Sequence, residues 1–199
     1  MKYFFLSKRS IKLLPIKPKP PVTIIFSINL IIFTLLKTIS IVDKLFDMTI
    51  SLQNLSVVIV SFHSDDVIHD CIKSIVDEIK IIVVENSGNK EFASKIENQY
   101  KNVKCILSSK NLGMGAGNNL GLKHIKTDYA FILNPDVILK KNTIEEIIIA
   151  SKKIDNFGLI APISDDLKNP NYIINKKSEL PNFIDPFKVE SVDGFAMIL

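Results

Sequence analysis

Three short runs of uninterrupted apolar residues, Val57–Val60, Ile81–Val84 and Ala130–Leu133, constrain this chain more than any other feature. Each is of strand length and lacks a polar face, which suits a strand covered by helices on both sides. Val103–Leu107 is a weaker fourth run. Between the runs the apolar period becomes that of a helix. Val67, Ile68, Cys71, Ile72, Ile75, Val76 and Ile79 recur at helical spacing after the capping candidates Asp65 and Asp66. Asn142 and Glu145 form a capping-box pattern around Ile144, Ile147, Ile148 and Ile154. Such alternation predicts an α/β fold, an open, mostly parallel sheet flanked by helices with right-handed crossovers. At 199 residues, 47% of them hydrophobic, the chain suffices for one domain with a core.

The sequence divides into a segment 1–50 and a body 51–199. Lys2, Lys8, Arg9, Lys12, Lys17 and Lys19 precede any acidic residue, so the net charge of +4 belongs to this first stretch and the body is slightly acidic. A mildly acidic body argues against a general nucleic-acid binder, which carries its basic footprint on the folded domain. Pro15, Pro18, Pro20 and Pro21 lead into the apolar run Val22–Leu36, then Lys37 and Thr38–Val42. Three readings are open: upstream sequence mis-assigned ahead of a true start at Met48, a helix lying on a membrane surface, or a marginal transmembrane helix with Lys37 snorkelling to one end. No small-residue cleavage site follows, which argues against a signal peptide. Cys71 and Cys105 sit in apolar surroundings without the spacing of a disulfide framework or a zinc site, which fits a reducing, cytoplasmic setting.

In open α/β sheets the ligand crevice lies beyond the carboxyl ends of the strands. The residues there are Ser61-Phe62-His63, Glu85-Asn86-Ser87-Gly88, Ser109-Lys110-Asn111 and Asn134-Pro135-Asp136. Gly113, Gly115, Gly117 and Gly121 follow a late strand, whereas a dinucleotide-binding fingerprint belongs directly after the first one. That function is therefore rejected.

The segments "LSVVIVSFHSDDVIHDCIKSI", "IIVVENSG", "NLGMGAGNNLGL" and "YAFILNPDVIL", in this order, resemble glycosyltransferase family 2 enzymes of the GT-A fold, and among them the bacterial rhamnosyltransferase-like subgroup. The resemblance runs from about Leu55 to Leu199. It implies transfer, with inversion, of a sugar from a dTDP- or UDP-sugar donor to a saccharide or lipid-linked acceptor in cell-surface polysaccharide synthesis. Asp136 matches the last aspartate of the family's DxD motif, with Asn134 in place of the first, and would hold Mg²⁺ or Mn²⁺ together with phosphate oxygens. Glu85, one methylene longer than the family's aspartate, would meet the nucleoside. Ser61 and Phe62 match a Thr-Tyr segment around the base, with Phe62 either stacked on a pyrimidine or part of the core. Asn111, Gly113 and Asn118 match a loop over the donor, where Asn118 is alternatively the cap of a following helix.

The segment Val192–Leu199 matches the family's acceptor-side segment, and the family's catalytic base is expected beyond Leu199. The alternative function is a non-catalytic nucleotide-sugar-binding or partner-binding module; a nucleotidyltransferase is a more distant one. A cytoplasmic donor favours a body kept in the cytoplasm, peripheral to the inner membrane if residues 1–50 bind its surface.

Overall fold

The apolar runs become strands of one sheet covered on both faces. The computed structural model describes residues 3–6, 49–154, 157–164, 170–174 and 185–199. The chain divides into two compact units, one of residues 11–49 and one of residues 1–10 with 50–199. The readings of residues 7–48 as a membrane-surface or spanning helix lie outside the described residues. Among the described residues no helix is long and apolar enough to cross a membrane.

The larger unit runs β1 (Tyr3–Leu6), β2 (Leu55–Ser61), α1 (Ile68–Lys73), β3 (Lys80–Glu85), α2 (Lys90–Gln99), β4 (Val103–Leu107), α3 (Gly113–Leu122), β5 (Tyr129–Leu133), α4 (Thr143–Ser151) and β6 (Leu159–Pro162). Short strands follow: β7 (Tyr172–Ile173), β8 (Phe187–Lys188), β9 (Ser191–Val192) and β10 (Ala196–Ile198). The eight-stranded sheet has the order β4-β3-β2-β5-β10-β6-β1-β8, and β7 pairs with β9 separately. Strands β2 to β5 are mutually parallel, while β10 runs antiparallel to both β5 and β6. This is the open, mostly parallel sheet that the alternation of elements implies. A strand at Tyr3–Leu6, antiparallel to β6, has no counterpart in the sequence reading.

Both sheet faces are apolar because both are covered. Val57, Ile59, Ile81 and Val83 meet α1, α2 and α4 through Ile68, Ile72, Phe92, Ile96, Ile144 and Ile147. Val58 and Val84, on the opposite face, meet the α3 side chains Leu120 and Leu122. Helix α3 sits close to the sheet because two of its glycines have no side chain to separate them. A Cβ on Gly117 would stand 2.9 Å from Val60 Cγ1, and one on Gly121 would overlap Val58.

Two helical expectations change. Helix α1 stops at Lys73, well short of Ile79. The Ser74 hydroxyl donates to Cys71 O and accepts from Leu139 N–H at 3.0 Å, anchoring the chain where it leaves the helix. Ile75 and Ile79 are buried all the same, in turns leading to β3. Neither Asp65 nor Asp66 caps α1: its N-cap is Val67, with no side-chain cap. Asn142 does precede α4 as N-cap, but its side chain makes no capping hydrogen bond, so the box is present in pattern only.

Candidate active site

The strand order reverses between β2 and β5, because the chain first steps outward to β3 and β4 and then returns to the other side of β2. Ligands of open α/β sheets bind at such a switch point, beyond the strands' carboxyl ends. Here it holds a crevice of ≈ 480 Å³ lined by Phe62, His63 and Ser64 after β2, Asn86 after β3, Asn111, Gly113, Met114 and Asn118 from the start of α3, and Asn134, Pro135 and Asp136 after β5. Six of the eight residues singled out by the sequence meet there: Phe62, Asn111, Gly113, Asn118, Asn134 and Asp136.

Ser61 and Glu85 do not line it. Successive side chains of a strand point to opposite faces. Val60 lines the crevice, so Ser61 points away from it, and Glu85 is paired in register with Ser61 on the neighbouring strand. Both residues are fully buried. Glu85 Oε1 accepts from the Ser87 N–H at 2.7 Å and from the Ser87 hydroxyl, which shapes the turn after β3. Among the described residues Glu85 Oε2 and Ser61 Oγ find no hydrogen-bond partner. Glu85, expected to meet the nucleoside, thus faces the interior, and the next residue, Asn86, takes the crevice wall. Strand alternation carries that signal once β3 is aligned with β2.

Phe62 is not a core residue: it is 46% exposed, its ring edge-on to His63 at 4.5 Å. His63 holds a positive φ of 52°, uncommon for a side chain of its size. The bend is fixed locally, since Ser64 Oγ accepts from Phe62 N–H at 3.3 Å and donates to Phe62 O at 3.4 Å. Phe62, Val67 and Met114 together give the crevice an exposed apolar rim.

The glycine-rich segment expected to be a loop is helix α3, and Asn118 lies within it, 7% exposed. Helix-interior glycine costs about 0.5–1 kcal/mol relative to alanine, so nothing local favours this helix; close packing on β2 does. Asn134 is held by its backbone, with its N–H donating to Phe195 O at 2.8 Å and its carbonyl accepting from Cys71 Sγ at 3.5 Å. The segment Val192–Leu199 contributes Phe195 and strand β10, antiparallel to β5.

Both cysteines are unpaired, Cys71 buried and Cys105 half-buried. Burial, and then the charge of Asp136, pushes the Cys71 thiol from 9.0 up to about 12. Burial, then Glu97 and Glu85, pushes Cys105 up to about 12 as well. Raised values mean that the folded chain keeps protons which the unfolded chain loses between pH 9 and 12. Their contribution to stability is therefore complete below pH 9 and falls as pH rises toward 12. Urea midpoints measured from pH 8 to pH 11 should fall less in a variant carrying Cys71→Ala and Cys105→Ala than in the wild type. An equal fall in both proteins contradicts buried neutral thiols.

Electrostatically the crevice is sparse. Among the described residues that line it, Asp136 is the one carboxylate, exposed to solvent, and none is a lysine or arginine. Among the described residues no three His, Cys, Asp or Glu side chains cluster as a ready-made metal site. A site of this kind suits a cation shared with a ligand, since Mg²⁺ is usually held by one or two carboxylates plus substrate phosphates. The Asn134 side chain beside Asp136 offers a further oxygen.

A crevice at the switch point of a parallel sheet, with a lone acid at its mouth and glycines letting a helix approach, is the mark of an α/β ligand-binding domain. Residues 56–193 match the model of glycosyl transferase family 2, and the chain belongs to that family. It is similar to the low-salt glycan biosynthesis hexosyltransferase Agl10 of Haloferax volcanii, 27% identical over 115 residues, which cover 56% of this chain and 36% of that protein. An uncharacterized glycosyltransferase of Rickettsia typhi is 32% identical over 108 residues, 54% of this chain and 32% of the relative. The chain thus spans about a third of the length of these curated relatives. Among solved structures, residues 1–349 of Staphylococcus aureus TarS align with a TM-score of 0.45 at 19% identity, over 50% of this chain and 32% of that one. The mannosyltransferase PcManGT of Pyrobaculum calidifontis, in complex with GDP-Man and Mn²⁺, aligns with a TM-score of 0.41 at 12% identity, over 49% and 32%.

Proposed function

We propose that the crevice binds a nucleotide-sugar donor, a dTDP- or UDP-sugar, for inverting transfer to a saccharide or lipid-linked acceptor in cell-surface polysaccharide synthesis, rhamnosyl transfer being the favoured case. The observation that carries this reading is the charge inventory at the switch point: among the described residues of the wall there is one carboxylate, Asp136, beside Asn134, and no lysine or arginine. A nucleoside diphosphate brings at least two negative charges, which His63 alone does not balance. A divalent Mg²⁺ or Mn²⁺ held by Asp136, with Asn134 beside it, would supply the missing positive charge to the diphosphate as it departs.

The placement of the remaining residues supports a role for each. The exposed Phe62 ring offers a face on which a pyrimidine stacks. Asn118, almost buried yet open to the crevice, offers an amide to the phosphates or the sugar. Ser61 and Glu85 act from beneath, Glu85 by fixing the turn at Ser87. In the reaction the bond from the anomeric carbon to the phosphate oxygen breaks as the acceptor oxygen bonds from the opposite side. The acceptor hydroxyl gives up its proton to a base or to solvent, and the nucleoside diphosphate leaves with the electron pair of the broken bond.

Calorimetric titration with UDP and dTDP in Mg²⁺ tests the binding half of this reading. One saturable site is expected, with Phe62→Ala weakening it by about tenfold, the loss of a stacking contact of roughly 1–1.5 kcal/mol. No saturation by either nucleotide up to millimolar concentration would remove the proposal.

A further inference from the structure

Asn86 lies in the crevice wall with 1% of its surface exposed, and its hydrogen bonds tie three segments together. Its backbone N–H donates to Ser61 O at 2.8 Å, joining the exits of β2 and β3. Its Oδ1 accepts from Leu112 N–H at 2.9 Å, and its Nδ2 donates to Asn111 Oδ1 at 3.0 Å. The same Asn111 oxygen accepts from Gly113 N–H at 2.8 Å. Two backbone donors therefore dictate how both amides point: each must turn its oxygen toward an N–H, which leaves the Asn86 amino group to bridge the pair.

We infer that Asn86 is a positioning residue for the donor: with Asn111 it forms a polar clamp that holds the 111–113 turn in its receptive shape before ligand arrives. This rests on the donor-binding reading above. The turn contains Gly113 at a φ of 72°, and a glycine there has no steric preference for one conformation over several. Without the clamp the turn samples other shapes, and the apparent affinity falls by the fraction of molecules still competent to bind. The N-cap of α3, Leu112, provides no side-chain cap of its own.

The clamp makes an asymmetric demand that burial alone does not. At position 111 both contacts are accepted by one oxygen, so Asn111→Asp preserves them. At position 86 a donor is needed, so the isosteric Asn86→Asp sets two acceptors against each other and opens the clamp. Amide hydrogen exchange in the ligand-free protein should show Leu112 and Gly113 exchanging about three- to tenfold faster in Asn86→Asp and Asn86→Ala. In Asn111→Asp they should exchange at the wild-type rate. Equal rates in all variants, or equal acceleration by both aspartates, overturns the clamp whatever the protein binds.

For UDP in Mg²⁺, Asn86→Ala and Asn111→Ala should each weaken binding by about tenfold, and the double variant by no more than either single one. Losses that multiply to about a hundredfold, or single variants that bind like wild type, overturn the positioning role. If wild type binds no UDP or dTDP while the exchange pattern holds, the donor-binding reading fails and the positioning role fails with it.

Discussion

Replacing Gly121 by alanine should destabilise the protein by about 1–3 kcal/mol, whereas the same replacement at Gly115, in the same helix, should leave it unchanged or stabilise it by up to about 1 kcal/mol. Helix propensity favours alanine equally at both sites, so the difference isolates packing. At Gly121 an added Cβ overlaps Val58 and stands 3.2 Å from Val84 Cγ2, in the layer between α3 and the sheet. At Gly115 it meets nothing within 4 Å. In a domain of this size each kcal/mol moves Tm by roughly 2–4 °C, so thermal unfolding of the two variants decides the matter. If Gly121→Ala melts no lower than Gly115→Ala, α3 is not seated directly on β2 and β3. Because α3 carries Gly113, Met114 and Asn118 into the crevice, a helix pushed off the sheet should also bind nucleotide more weakly.

That helix shows where the sequence was opaque. Glycine is a poor helix former, and four glycines between 113 and 121 read as a loop; only contact with Val58 and Val60 makes a helix of them. Tertiary packing overrode propensity there. The strands were legible for the opposite reason. Val57–Val60, Ile81–Val84 and Ala130–Leu133 are apolar on both faces, and a covered parallel strand is what such runs require; the structure extends them only at the ends. Helix α2 has a weak sequence signature although Asn89 caps it by accepting from Phe92 N–H at 3.0 Å. Its three buried residues, Phe92, Ala93 and Ile96, are too few to stand out in a polar stretch. Burial of Ile75 and Ile79 mimicked helical period in what are turns, since periodicity reports which side is buried and not the backbone beneath it.

The site was legible as a set of segments and less so as a set of side chains. Motif order brought Phe62, Asn111, Gly113, Asn118, Asn134 and Asp136 into one crevice. It could not say which of two consecutive residues at a strand end faces that crevice. The family pattern drew attention to Glu85, while the two-residue period of β3 gives the crevice side to Asn86. Charge at that position is thus spent inside, on Ser87, and the wall receives a neutral amide able both to donate and to accept.

The second large effect concerns Asp136, on which the charge balance of the crevice depends. A nucleoside diphosphate at about a hundred times its Kd should stabilise the folded protein by about 2.7 kcal/mol, a rise in Tm of roughly 5–11 °C for a domain of this size. Most of that rise should require Mg²⁺ or Mn²⁺, because no lysine or arginine is among the described residues of the wall. Removing the carboxylate removes the protein's charged hold on the metal but leaves Phe62, Asn86 and Asn118 in place. Asp136→Ala should therefore retain the small metal-independent shift and lose the rest, while its ligand-free Tm changes little, since the side chain is exposed.

The most direct measurement is thermal unfolding of wild type and Asp136→Ala with UDP or dTDP, each with Mg²⁺ and with a chelator. The expected result is a shift in the wild type that mostly disappears on chelation, and a variant whose small shift is the same with and without metal. Equal, metal-dependent shifts in both proteins, or no shift in the wild type under any condition, would contradict a metal-assisted nucleotide site at Asp136.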